Sequence, residues 1–157
     1  MPTSKPRFIV DEMAGRLARW LRFAGFDTLH RNMISDGTLI GLALREGRII
    51  LTRDRRLPAA RSLPPHLLIG SPFLDEQLRQ VFRELGLKLE VKLVFTRCSE
   101  CNQNLTPVNR SAVLSRVPPY VYRRRRKFFS CPGCGKIFWK GTHREKVLMK
   151  LLSAAGK

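Results

Sequence analysis

The chain has 157 residues, enough for one ordinary domain or a compact domain of about 100 residues plus a small stapled one. Thirty Lys and Arg face 12 Asp and Glu, a net charge of +18, while 43% of residues are apolar. That composition excludes wholesale disorder and calls for a polyanion or membrane surface to offset self-repulsion. The uncharged stretches are too short to cross a bilayer, which takes about 20 apolar residues. The start, MPTSKPRFIVDEM, carries no apolar signal-peptide core, so Sec export is not expected. A cytoplasmic protein with a nucleic-acid partner and no membrane role is the expectation.

Phe8-Ile9-Val10 is a short apolar run and predicts a buried strand ending at Asp11. Met13, Leu17, Trp20, Leu21 and Ala24 then share one helical face, and Gly25 stands where a helix-ending glycine belongs. Asp27 to His30 is a second strand. Ser35-Asp36-Gly37 caps a helix carrying Leu39, Ile40, Ala43 and Leu44, which Gly47 closes. Arg48 to Thr52 is continuous and β-branched, the clearest strand in the chain. Pro58, Pro64 and Pro65 mark a loop, Leu67-Leu68-Ile69 a further strand, and Asp75 to Gly86 a third helix with Leu78, Val81, Phe82 and Leu85 on one face. Alternating strands and helices predict an α/β fold with a parallel sheet covered on both faces.

In such sheets ligands bind beyond the carboxyl ends of the strands. Asp11 ends the first strand, Asp54 follows the Ile49–Thr52 strand, and Asp36 opens the helix leading into it. Three converging carboxylates repel one another, and hard oxygen donors without His or Cys suit Mg²⁺ or Mn²⁺. Ions held this way hydrolyse phosphodiesters by activating water and stabilising the developing charge. The bland alternatives are helix caps for Asp36 and Asp54 and an ion pair with Arg16 or Arg53 for Asp11. Glu12 either reaches the ion or pairs with Arg16, and Asp75 is expected to serve its helix dipole. Arg16, Arg19 and Arg22 recur every three residues and, with Arg53, are candidates for substrate phosphates; the alternative is a solvated face. His30 and His66 read as structural. No Ser/His/Asp order, GxSxG or Gly-rich Lys loop is present, which leaves no basis for acyl-enzyme chemistry or NTP hydrolysis.

Composition shifts near residue 95, which predicts an N-terminal domain over 1–95 and a basic module over 96–157. The second part holds 14 Lys and Arg against two acids, together with all four cysteines. Cys98-Ser99-Glu100-Cys101 and Cys131-Pro132-Gly133-Cys134 are two CxxC knuckles with 29 residues between them, a four-cysteine zinc-ribbon spacing. Redox disulfides and an iron–sulfur cluster are the competitors. Four thiolates close a tetrahedron, so the zinc would be structural and His143 a surface or substrate-contact residue. Tyr120, Tyr122, Arg123, Arg124, Arg125, Arg126, Lys127, Phe128, Phe129, Phe138 and Trp139 interleave cations with aromatics, as phosphate contact and base stacking require. At least two of Phe128, Phe129 and Phe138 are expected in the module's own core. Val147, Leu148, Leu151 and Leu152 predict a C-terminal helix that packs back on a neighbouring surface.

The segments FIVDEMAGRLARWLRFAGFDT, SDGTLIGLALREGRIILTRDRRL and CSEC…RVPPYVYRRRRKFFSCPGCGKIFWKGTH together resemble the Mut-seven C-terminal RNase domain family, a PIN-like ribonuclease domain with an attached zinc ribbon. The resemblance runs from about Arg7 to about Lys146. It implies a three-layer α/β/α sandwich and metal-dependent endoribonuclease activity, with Asp11, Asp36 and Asp54 as catalytic acids. The rival expectations are a non-catalytic RNA-binding or ribosome-associated module, and the toxic half of a toxin–antitoxin pair with a neutralising protein partner.

Overall fold

A computed structural model describes residues 4–57 and 62–157 of the chain; Pro58, expected to help mark a loop, lies outside them. Strands β1 (Phe8–Val10), β2 (Thr28–His30), β3 (Ile49–Thr52) and β4 (His66–Leu68) form an all-parallel sheet in the order β2-β1-β3-β4. β1 and β3 are the central neighbours, with Ile9 opposite Ile50 and Val10 opposite Leu51. β1 and the first three residues of β3 are apolar because both sheet faces are covered, and β3 ends on the buried Thr52.

Side-chain alternation along these strands sorts the helices into layers. Phe8, Val10 and Leu51 point into one core with Leu17 and Leu21 of α1 (Gly15–Phe23) and Leu78 and Val81 of α3 (Leu74–Glu84). Ile9 and Ile50 point the other way, onto Leu39, Leu42 and Ala43 of α2 (Asp36–Glu46). The expected α/β/α layering around a parallel sheet is therefore present.

The helix expected from Met13 starts later. Asp11 takes the Met13 N–H at 3.1 Å and caps a short 3-10 helix, Glu12–Ala14, which leaves Met13 exposed and delays α1 to Gly15. Gly25 ends the helix at φ +92°, where a Cβ would stand 2.6 Å from the Leu93 carbonyl.

The cysteine-bearing half forms a second, antiparallel sheet from β5 (Thr106–Val108), β6 (Phe128–Ser130) and β7 (Ile137–Trp139), in that order. Its core is Val113, Val117, Val121 and Phe128, with Val121 on the short α4 (Pro119–Arg124). Phe129 and Phe138 pair across β6 and β7 but lie outside that cluster; only Phe128 of the three phenylalanines joins it. Period-two alternation is the reason, since Phe128 and Phe129 must face opposite sides of one strand.

Helix α5 (His143–Ala154) crosses the compositional division near residue 95. Leu151 is fully buried in the α1/α3 core, and Lys150 pairs with Asp75 at 2.6 Å. The first CxxC knuckle is tied to the edge strand β2. Asn102 accepts the Thr28 N–H at 2.9 Å and donates to Asp27 at 2.7 Å, which satisfies an edge donor that would otherwise lack a strand partner.

Candidate functional site

The parallel order brings the carboxyl ends of β1 and β3 side by side. Asp11 follows β1, and Asp54 follows β3 by two residues. Ser35, not Asp36, caps α2: its hydroxyl accepts the Thr38 N–H at 3.2 Å. The Asp36 carboxylate is thus spared a capping role. Asp11, Glu12, Asp36, Thr52 and Asp54 line one crevice of about 50 Å³, floored by Leu39 and Leu57. That volume admits one or two water-sized occupants, given about 30 Å³ for a water.

Asp11 is 9% exposed and rigidly held. It accepts from the Thr52 hydroxyl, from the Arg53 N–H at 3.1 Å and from the Met13 N–H at 3.1 Å. The Thr52 hydroxyl in turn accepts the Asp54 N–H at 2.9 Å, which couples the two acids through one side chain. Asp54 accepts from the Arg56 backbone N–H at 2.9 Å and from two guanidinium nitrogens at 3.1 Å. The Arg56 guanidinium holds the Asp54 carboxyl below the usual carboxylate range. The three aspartates share the crevice without closing into a tight set. Among the described residues, the cysteines are the one group of three or more potential metal ligands lying within 4.8 Å of one another.

The other expected residues fall in different places. Glu12 lines the crevice and accepts the Met33 N–H at 3.3 Å, instead of pairing with Arg16. Arg16 is exposed, and Arg19 pairs with Glu100 at 3.2 Å. Arg22 is 7% exposed and committed to the carbonyls of Thr28, Ser99 and Glu100 at 2.9–3.0 Å, so it is unavailable to a substrate. Its spacing matches Arg16 and Arg19, but its burial depends on where the first knuckle docks. Arg53 contributes its N–H to Asp11, and its Nε is buried without a partner. Arg123, Arg124, Arg126 and Lys127 are exposed, Arg125 partly so. His30 packs against Gly15, where a Cβ would meet its ring at 2.9 Å, and burial pushes its pKa below the ordinary value. His66 stays with the Pro64 carbonyl at 3.1 Å. Sequence reasoning misses Thr52, Arg56 and Asn102. Only Thr52 carries a sequence signal, as the last residue of the clearest strand.

The four cysteine sulfurs converge. Cys98 and Cys134 Sγ lie 3.7 Å apart, and Cys101 and Cys131 Sγ 3.1 Å apart. A tetrahedron with zinc–sulfur bonds of about 2.3 Å separates its sulfurs by about 3.8 Å. The four residues can therefore hold a zinc ion, and an all-thiolate set suits it. Burial pushes the Cys98 thiol up to about 12. Cys131 is lowered to about 7: burial opposes this, but hydrogen bonds from Cys101 and the Cys134 N–H outweigh it. Gly133 has no room for a side chain, since a Cβ would stand 3.2 Å from Cys101 Sγ and 2.8 Å from Gln103.

The model of the Mut7-C RNase domain matches residues 6–151, nearly the whole chain. The chain belongs to the Mut7-C RNase domain family. Neither a curated protein nor a solved structure matches it. Membership makes this a ribonuclease-type domain with RNA as the implied substrate, and it spans both sheets and α5 through Leu151. Among the described residues, no helix of this Mut7-C chain is long and apolar enough to cross a membrane.

Proposed function

We propose that the chain is a metal-dependent endoribonuclease in which Asp11, Asp36 and Asp54 hold Mg²⁺ or Mn²⁺ against a phosphodiester, while a structural zinc at Cys98, Cys101, Cys131 and Cys134 braces a basic RNA-binding ribbon. One observation carries the reading: acids from three segments far apart in the chain line a single crevice at the carboxyl edge of a parallel sheet. The donors are carboxylates and a hydroxyl, with no His or Cys among the lining residues, which suits a hard divalent ion. When bound, that ion supplies an activated water and stabilises negative charge on the phosphate oxygens.

The chain's own residues do the positioning. Thr52 and the backbone N–H groups of Met13 and Arg53 fix the direction of Asp11. Arg56 pairs with Asp54 and lowers its pKa, and it is 90% exposed, so it can leave that carboxylate at little cost. Arg16, Arg19, Arg53 and the Arg123–Lys127 run supply phosphate contacts. The Arg19–Glu100 pair is exposed and readily exchanged for a phosphate.

The test is a fluorescent RNA incubated with Mn²⁺ or Mg²⁺. Cleavage should appear with the wild type and vanish in Asp54→Asn and Asp11→Asn, with RNA affinity kept. Undiminished binding without cleavage under either metal would favour a non-catalytic RNA-binding module.

A further inference from the structure

A cavity of about 220 Å³ opens where the C-terminal end of α1, the β6–β7 face and the first turn of α5 meet. Its walls are aromatic: Phe23, Phe95, Phe129, Phe138 and Trp139. Phe129 and Phe138 are cross-strand partners on the sheet face turned away from the Val113–Phe128 core, so the core does not account for them. Phe95 stands at φ +63°, a costly conformation for a bulky residue, with its ring 5.7 Å from that of Phe23.

The rim is cationic. The Arg144 guanidinium stacks 4.4 Å from the Phe95 ring, with no ion pair or side-chain hydrogen bond among the described residues. Arg97 donates to the Asn102 carbonyl at 2.6 Å, while its Nε is buried without a partner. Among the described residues, no acidic one lines the cavity. Its volume falls below the roughly 300–1,000 Å³ of drug-sized pockets, which favours a single flat ring system. Aromatic walls beside two guanidinium groups with no carboxylate partner among the described residues complement a π-face joined to an anion.

We infer that this cavity takes one unstacked nucleobase of a single-stranded RNA, with the adjoining phosphate on Arg144 and Arg97. The inference rests on the ribonuclease reading and adds to it a substrate-holding site away from the reacting phosphate. α1 separates the two: Asp11 lies before its first turn and Phe23 is its last residue. Nine residues at 1.5 Å each make α1 about 13 Å long, and Asp11 stands a further 3-10 turn before its start. The pocket therefore holds the strand and does not take part in bond cleavage.

The experiment uses the full chain without added Mg²⁺ or Mn²⁺, and short single-stranded RNAs carrying 2-aminopurine at successive positions. Fluorescence should be quenched at one register on binding, and an abasic RNA at that register should bind at least about fivefold more weakly, the low end of base–aromatic stacking. Phe138→Leu, which stays apolar but removes the ring, should lose the quench and weaken binding about fivefold as well. In cleavage assays it should raise KM and leave kcat unchanged. Wild-type cleavage with no register-specific quench, or an abasic RNA bound as tightly as the intact one, overturns the pocket and leaves the ribonuclease reading standing. A register-specific quench without cleavage under any metal overturns the ribonuclease reading and keeps the pocket. The abasic comparison uses wild-type protein alone, so it stands even where Phe138→Leu fails to fold.

Discussion

Asp27→Asn removes one charge at the junction of the two sheets without changing side-chain shape. Asp27 accepts from Arg48 Nη1 at 2.7 Å, Asn102 Nδ2 at 2.7 Å and Arg7 Nε at 3.2 Å. Arg48 is 4% exposed and would keep only Glu46 as a charged partner, at 2.6 Å. Breaking a fully buried pair costs about 3–5 kcal/mol, and a hydrogen bond to a charge about 1.5–3. With Asp27 24% exposed and Glu46 still in place, the expected loss is about 2 kcal/mol. The acidity of Asp27 gives an independent figure. Burial raises its pKa, but the bonds from Arg48 and Asn102 prevail and lower it from 3.8 to about 2. At 1.36 kcal/mol per pKa unit that corresponds to at most about 2.4 kcal/mol, and about 1–2 after allowing for solvent screening. Because the folded pKa is depressed, this stabilisation is complete above the ordinary carboxylate value and disappears as pH falls through about 2. Urea unfolding followed by tryptophan fluorescence should show the full gap between wild type and variant at pH 7 and pH 5, and a shrinking gap below pH 4. The melting temperature at pH 7 should drop by about 4–8 °C. Equal stability at pH 7, or a gap that widens in acid, would refute the reasoning.

Elemental analysis should find one zinc per chain, and Cys101→Ser should lose it. Because the first knuckle anchors Arg22 and the Thr28 N–H, that loss should also lower the unfolding midpoint of the N-terminal sheet. A zinc-free preparation with unchanged stability would defeat the claim. Gly133→Ala should weaken zinc retention by about tenfold or more in a chelator competition, since its Cβ would press on Cys101 Sγ and Gln103. Arg56→Ala should lower the Mn²⁺ concentration for half-maximal cleavage by no more than about fivefold, because water already screens so exposed a pair. RNA affinity should fall with salt by about 0.7 log units per log unit of salt for each phosphate neutralised, so a flat response would contradict a phosphate-binding role for the basic surface.

Most of the fold's vocabulary is local and can be read directly. The apolar runs at Phe8–Val10 and Ile49–Thr52, the Ser35 cap and Gly47 stop around α2, and the two CxxC pairs each depend on neighbours in sequence. Hydrophobic spacing misplaces the start of α1 because it does not register that the Asp11 carboxylate will capture the Met13 N–H. It also overfills the core of the second sheet, which takes Phe128 but neither Phe129 nor Phe138, since the facing of a three-residue strand depends on what covers it.

Composition, periodicity and cysteine spacing by themselves determined the layered α/β class, the acids standing at strand and helix ends, and a thiol set able to hold zinc. Only the tertiary structure decided that Asp11, Asp36 and Asp54 share one crevice, that Arg22 is a buried strut while Arg16 stays in water, and that α5 completes the core of the other half. The reason is that strand order, burial and ion-pair choice are set by contacts between segments tens of residues apart. An arginine's spacing on a helix is the same whether solvent or a neighbouring loop's carbonyls will meet it.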